Sequence, residues 1–184
     1  VNQSMAKIKK DWKAYCKVAY NALCSNLEFW GDPKFFRPIT RNFYEQVFSS
    51  GYNHSGMISE DAMNNPDQRT HDHCLSPQFI CRMIMDNPEI YLDDYDIFEN
   101  LFLIARTTIC VTKKENKQLS LLTKNDGIDY KVYVPTNLKY KHLGITLYER
   151  FGSKWTDSNI SEDNTIEVPS DLLQYEKNFL VPMT

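Results

Sequence analysis

The stretch Thr107-Thr-Ile-Cys-Val-Thr-Lys-Lys-Glu-Asn116 predicts a β-strand that passes directly into an α-helix. Its beginning is β-branched and apolar, which is typical of a strand. Thr112 is followed three residues later by Glu115, a capping-box pattern that predicts a helix starting at about Lys113. Asn116 then lies in the first turns of this helix, beside the strand. Because asparagine is mildly unfavourable inside a helix, its position indicates another role.

A second polar stretch, Arg69-Thr-His-Asp-His-Cys-Leu-Ser-Pro77, places two imidazoles and a carboxylate at consecutive positions. The chain has four histidines, and two of them, His71 and His73, flank Asp72 here. An Asp-His pair can bind a divalent metal through the carboxylate and activate water through the imidazole. Taken alone, the same pair is also compatible with an ordinary polar loop.

The two stretches together resemble the HNH, or His-Me finger, endonuclease motif, and most closely its phage and intron-encoded homing endonuclease branch. That branch carries an Asp-His pair on a first strand and ends in a segment N-L-R-x-V-T-x-x-E-N that leads into a helix. Here Asp72-His73 matches the first part, and residues 111–116 match the end of the second in register. There are two departures. Thr107 stands where the family has its middle Asn, and the longer gap from His73 to Asn116 requires a helical insertion.

The resemblance implies a metal-dependent DNA endonuclease that hydrolyses phosphodiester bonds. His73 would be the general base that takes a proton from water. Asp72 and Asn116 would be oxygen ligands of one divalent ion, and such ligands suit Mg²⁺ or Mn²⁺.

Three more residues are candidate helpers at this site. His71 is either a helper or a neutral neighbour of the catalytic pair. Asn100 is a candidate to orient His73, because Thr107 cannot supply the family's amide. Arg69 is a candidate contact to a phosphate.

The charge of the chain is unevenly distributed. Residues 1–50 hold eight Lys/Arg and four Asp/Glu, and residues 101–155 hold ten and four, although the formal net charge is −3. The remaining segments are acidic, so the basic blocks are expected to face a phosphate backbone, with solvated surface charge as the default alternative. The predicted partner is double-stranded DNA, and its predicted contacts are Lys9, Lys10, Lys113, Lys114, Lys139, Lys141, Arg150 and Lys154.

The predicted fold is α+β and mainly helical, with a short antiparallel hairpin near 70–75 and 107–112 and a following helix, the ββα-metal finger, embedded in a helical domain. Residues 5–155 are expected to form one catalytic domain with an N-terminal basic helix and a ββα-metal core at about 69–123. Residues 156–184 are expected to form a linker and a C-terminal helix.

The remaining local predictions come from periodicity and turn signals. They are helices over 5–29, from a Thr40 cap to Phe48, from Pro77 to about Pro88, over 97–105 and over 169–179, a strand over 130–134, and a polar loop over 51–68.

The sequence predicts no membrane association, because no apolar run approaches the roughly 20 residues that span a bilayer. It favours a cytoplasmic location, in the host cell if the chain is phage-encoded, and indicates no oligomeric state. Two alternatives to the nuclease remain: a non-catalytic DNA-binding protein on a degenerate HNH scaffold, and an all-α structural or interaction protein.

Overall fold

A five-stranded sheet combines one parallel strand pair with three antiparallel pairs. The computed structural model describes residues 11–123, 137–151 and 154–158. The strands are β1 (Asn53–Ser59), β2 (Arg69–His73), β3 (Thr107–Thr112), β4 (Leu147–Phe151) and β5 (Lys154–Ser158). Their order in the sheet is β2-β3-β1-β4-β5, and only β1 and β3 run parallel. The expected α+β class is therefore confirmed, and the all-α alternative is wrong.

Helices account for most of the remaining described chain. They are α1 (Trp12–Cys24), α2 (Pro33–Ser49), α3 (Glu60–Asn64), α4 (Pro77–Asp86), α5 (Pro88–Tyr91), α6 (Tyr95–Ala105), α7 (Lys113–Leu122) and α8 (Leu138–His142), with short 3-10 helices at Leu27–Phe29 and Pro66–Gln68. Among the residues described, no helix is both long and apolar enough to cross a membrane.

The strands of the two motif stretches pair as the sequence predicts. β2 runs antiparallel to β3, with Asp72 opposite Ile109 and His73 opposite Thr108. The chain then enters α7 through a capping box, in which the Glu115 carboxylate accepts hydrogen bonds from the Thr112 backbone N–H (2.7 Å) and hydroxyl (2.9 Å). α7 contacts both strands. The two strands do not form a simple hairpin, because residues 74–106 with α4, α5 and α6 separate them.

The polar loop predicted over 51–68 is wrong. This segment forms β1, α3 and a 3-10 helix, and β1 lies between β3 and β4 in the sheet. Its Ser, Asn and Gly residues have low strand propensity, but pairing on both edges overrides that preference. The register with β3 shifts between His54 and Ile58, where Gly56 adopts a φ of 85°. Glycine accommodates this left-handed conformation without the steric cost that other residues incur.

The predicted start of the second helix at Thr40 is also wrong. α2 begins at Pro33 because the Asp32 side chain accepts a hydrogen bond from the Lys34 N–H (2.9 Å) and proline suits the first helical position. Thr40 instead lies inside the helix, and its hydroxyl donates to the Phe36 carbonyl (2.9 Å).

Aromatic and aliphatic side chains of α1, α2, α4 and α6 form the main core. Phe43 of α2 packs edge-on against Phe98 and Phe102 of α6 at ring distances of 6.3 and 5.9 Å. Ile80 and Ile84 of α4 are fully buried in the same core. The inserted segment 74–106 therefore holds a substantial part of the core.

The two ends of the chain are only partly described, and there the structure agrees with the predictions in part. The predicted helix over 5–29 is observed as α1 followed by a 3-10 helix, and residues 5–10 lie outside the described part of the chain. The expected linker start at 156 is wrong, because β5 continues to Ser158 and pairs with β4. The strand predicted over 130–134 and the helix predicted over 169–179 lie outside the described residues.

Candidate active site

A cavity of about 540 Å³ is bordered by side chains from α2, β2, α4, α7 and α8. Asp72, His73 and His71 border it from β2, and Asn116 borders it from the first turn of α7. The predicted catalytic residues are therefore brought to one cavity, although 42 residues of chain separate His73 from Asn116.

Asp72 is buried, at 7 % exposure. Its Oδ2 lies 2.7 Å from the Lys139 ammonium and accepts a hydrogen bond from the Tyr140 hydroxyl at 2.5 Å. Burial and the adjacent Asp72 carboxylate raise the pKa of Tyr140 well above its usual value, so the phenol remains a hydrogen-bond donor. No described residue donates to the second carboxylate oxygen, Oδ1.

Lys139 does not form the surface contact to DNA that the sequence predicts. Its side chain is 1 % exposed, and besides the Asp72 carboxylate the ammonium contacts the His73 carbonyl at 2.5 Å. Removing an ammonium from water is costly unless it is paired with an opposite charge. Lys139 therefore neutralises Asp72 and links β2 to α8.

The His73 ring is oriented by the main chain. Its Nδ1 lies 2.8 Å from the Ala105 carbonyl at the end of α6. A carbonyl only accepts, so Nδ1 carries the proton and Nε2 keeps a lone pair. Nε2 is enclosed and has no hydrogen-bond partner within the described residues. The prediction that Asn100 orients this ring is wrong, because Asn100 is exposed on α6 and does not border the cavity.

Burial lowers the pKa of His73 below its usual value, although the Ala105 carbonyl and the Asp72 carboxylate act in the opposite direction. The ring is therefore neutral at pH 7 with its basic nitrogen at Nε2, which is the state that a general base requires.

Three of the four histidines surround Tyr52, an arrangement that sequence reasoning missed. The ring centroid of Tyr52 lies 5.0 Å from that of His71, 5.9 Å from that of His73 and 6.4 Å from that of His54. His71 and His54 are themselves 4.7 Å apart. Burial, with a smaller contribution from His54, lowers the pKa of His71. Tyr52 and His54 gave no signal because they fell in the predicted loop.

The contacts differ on the two faces of β2. Successive side chains of a strand point to opposite faces. Asp72 accordingly meets α8, whereas His71 and His73 meet Tyr52. The carboxylate and the imidazole border the same cavity but are held by different parts of the fold.

Arg106 positions the turn that carries Tyr52. Its guanidinium donates to the Ser50 hydroxyl (2.8 Å), the Ser50 carbonyl (3.1 Å) and the Gly51 carbonyl (3.2 Å). The preceding residue, Ala105, supplies the carbonyl that holds His73. The end of α6 therefore fixes both the histidine and the aromatic ring beside it.

The remaining predicted contacts fall into three groups. Arg69 is exposed and donates to the Ala62 and Met63 carbonyls at the end of α3 (2.8 and 3.4 Å), which occupies two of its five N–H donors. Lys113, Lys114 and Lys141 are exposed, as a DNA contact requires. Lys9 and Lys10, and the side chains of Arg150 and Lys154, lie outside the described part of the structure.

Two predicted metal ligands, Asp72 and Asn116, border the cavity. The Oδ1 of Asp72 and the amide oxygen of Asn116 are oxygen donors of the kind that Mg²⁺ prefers, and Mg²⁺ commonly binds through few protein ligands while keeping several waters. In the described ranges, no three His, Cys, Asp or Glu residues are grouped so that they could hold a metal. The Lys139 ammonium already provides one positive charge beside the carboxylate.

The chain matches no protein-family model, no curated protein and no solved structure.

Proposed function

We propose that the protein is a metal-dependent DNA endonuclease of the HNH type, which acts on double-stranded DNA in the cytoplasm. One observation carries this proposal: Asp72 and His73 on β2 and Asn116 on α7 border a single cavity. The antiparallel pairing of β2 with β3 and the capped start of α7 support it, because these elements position the three side chains.

The protein's own groups account for the proton transfer. Neutral His73 accepts a proton from the attacking water at Nε2, and the Ala105 carbonyl stabilises the resulting imidazolium through Nδ1. Because Nε2 is enclosed, water reaches it only after the side chains around it rearrange, and the Tyr52 ring is one of these neighbours.

Asp72 and Asn116 would hold the Mg²⁺ or Mn²⁺ ion. When bound, such an ion supplies positive charge for the phosphate and for the departing oxygen. Lys139 pairs with Asp72 and fixes its orientation, because the ammonium lies 2.7 Å from Oδ2.

A non-catalytic DNA-binding protein on the same scaffold is the second candidate. The observation that favours it is the neutralisation of Asp72 by Lys139, together with the enclosed position of the His73 Nε2. In that case the cavity residues would stabilise the fold and the exposed lysines would bind DNA.

Nicking of supercoiled plasmid DNA, with Mg²⁺ or Mn²⁺ and with EDTA, distinguishes the two. The nuclease should nick only with metal, and His73→Ala should lower the rate by about 10²- to 10⁴-fold while DNA binding is retained. The matched control is His142→Ala, which removes an exposed histidine of α8. Wild-type protein that binds DNA but never nicks it, or a His73→Ala variant that nicks at the wild-type rate, would refute the nuclease.

A further inference from the structure

The cavity has one aromatic side, formed by α2 and the turn that follows it. Tyr44 and Phe48 stack at a ring distance of 6.2 Å and an interplanar angle of 21°, and Tyr52 meets Phe48 edge-on at 6.3 Å. All three side chains border the cavity. We call these three residues the aromatic wall.

The aromatic wall is open to solvent. Phe48 is 53 % exposed and Tyr52 is 38 % exposed, although both line a concave surface. Such rings are available to a ligand, and exposed aromatic rings in a groove are the platforms on which single-stranded nucleic acid bases stack.

The cavity also carries unpaired positive charge. Arg37 and Arg82 border it, and neither forms an ion pair with any described residue. Arg82 lies over the Phe36 ring at 4.8 Å. Among the described residues, Asp72 is the only carboxylate that borders the cavity, and Lys139 neutralises it. The two arginines therefore give the cavity a net attraction for anions, and a guanidinium matches the geometry of a phosphate.

α7 supplies uncharged polar groups to the same cavity. Asn116, Ser120 and Thr123 recur at intervals of four and three residues and all border it. This spacing places them along one side of the helix, where amide and hydroxyl groups can contact a sugar or the edge of a base. The cavity thus combines a stacking surface, anion-binding groups and hydrogen-bonding groups.

We propose that this cavity binds one unpaired nucleotide of the substrate strand, with its base on the aromatic wall and its phosphates at Arg37 and Arg82. The volume of about 540 Å³ lies within the range of about 300–1,000 Å³ that small-molecule sites occupy. Inside a duplex, stacking covers both faces of each base and pairing holds the base in the stack, so a base must be unpaired to turn a face toward Phe48. This inference rests on the proposed endonuclease and narrows its double-stranded DNA substrate to sites that carry an unpaired nucleotide beside the reacting phosphate, such as a flap or a transiently opened stretch of a supercoiled plasmid.

Binding measured in EDTA tests the inference without turnover. Fluorescence anisotropy would compare a labelled single-stranded oligonucleotide, a fully paired duplex and a duplex with a single-stranded flap. The single strand and the flap should bind more tightly than the duplex. Phe48→Ala should weaken their binding by about 5- to 100-fold, the usual effect of losing one base-stacking ring, and should leave duplex binding nearly unchanged.

Two matched controls lie on the same helix. Phe35→Ala removes a ring that is 41 % exposed but does not border the cavity, and should leave binding unchanged. Arg37→Ala should weaken single-strand binding. Arg41→Ala should leave that binding unchanged, because Arg41 lies outside the cavity and pairs with Glu45. Near-ultraviolet circular dichroism would verify that each variant is folded.

Equal affinity for the duplex and the single strand, or equal losses in Phe48→Ala and Phe35→Ala, would overturn the inference. A different result would refute the proposed function. Preferential binding of unpaired DNA that depends on Phe48, without cleavage in Mg²⁺ or Mn²⁺, would refute the nuclease and leave the nucleotide site in place.

Discussion

Replacing Lys139 with methionine should strongly destabilise the protein, because it breaks a buried ion pair. The change removes the ammonium 2.7 Å from Asp72 and leaves that carboxylate, 7 % exposed, with the Tyr140 hydroxyl as its partner among the described residues. Leaving one member of a buried ion pair uncompensated typically costs about 3–5 kcal/mol. The free energy of unfolding of a domain is about 5–15 kcal/mol, so the loss is a large part of the total.

A double-mutant cycle with Asp72→Asn isolates the pair. Each single variant leaves one buried charge, whereas the double variant leaves none. The cost of the double variant should therefore fall below the sum of the single costs by at least about 2 kcal/mol. Urea denaturation followed by tryptophan fluorescence provides the measurement. With a denaturant slope of about 1–3 kcal/mol per M, Lys139→Met should lower the midpoint by about 1 M or more.

Lys141→Met is the matched control, because Lys141 lies on the same helix and is exposed. It should change the free energy of unfolding by no more than about 0.5 kcal/mol. A cost below about 1 kcal/mol for Lys139→Met, or additive costs in the cycle, would refute the view that this pair holds β2 to α8.

Three further predictions concern other parts of the site. Burial lowers the pKa of both His71 and His73 in the folded protein. Their contribution to stability is therefore fully present above the unfolded pKa of about 6.5 and is lost as the pH falls through that value toward the lower folded pKa values. The urea midpoint should drop between pH 7.5 and 5.5, and a flat profile would contradict this. Thr112→Ala removes a capping-box partner of α7 and should cost about 0.5–2 kcal/mol by the same urea assay. DNA affinity should fall as the salt concentration rises. Lys113→Gln and Lys114→Gln, which change exposed residues, should each reduce the slope of log affinity against log salt concentration by about one. Unchanged slopes would show that DNA binds elsewhere on the protein.

The parts of the fold that the sequence predicts well depend on neighbouring residues. Thr112 and Glu115 are three positions apart, so their capping box is visible in the sequence, and α7 begins where it predicts. Pro77 likewise marks the first residue of α4. β1 was not predicted, because its strand conformation depends on pairing with β3 and β4, which are distant in the sequence.

The candidate site likewise combines features that neighbouring residues determine with features that depend on residues distant in the sequence. Asp72, His73 and Asn116 carry a recognisable pattern, and the fold does bring them to one cavity. The sequence does not indicate that Lys139 pairs with Asp72, because 66 residues separate them. A lysine within a basic segment is equally compatible with an exposed surface group. The group that orients His73 is a main-chain carbonyl, which any residue at position 105 would supply and which no residue type can therefore indicate.

The position of the inserted helices has a consequence for the order in which the site assembles during synthesis. β2 ends at His73, but its strand partner begins at Thr107 and its ionic partner is Lys139. Contacts of such sequence separation form slowly, because the intervening chain must first be brought together. On a ribosome that makes about 5–20 residues per second, the Asp72 carboxylate would remain unpaired for several seconds after it is made. A nascent chain that stops before α8 would therefore contain all three predicted catalytic residues without the cation that holds Asp72 in place.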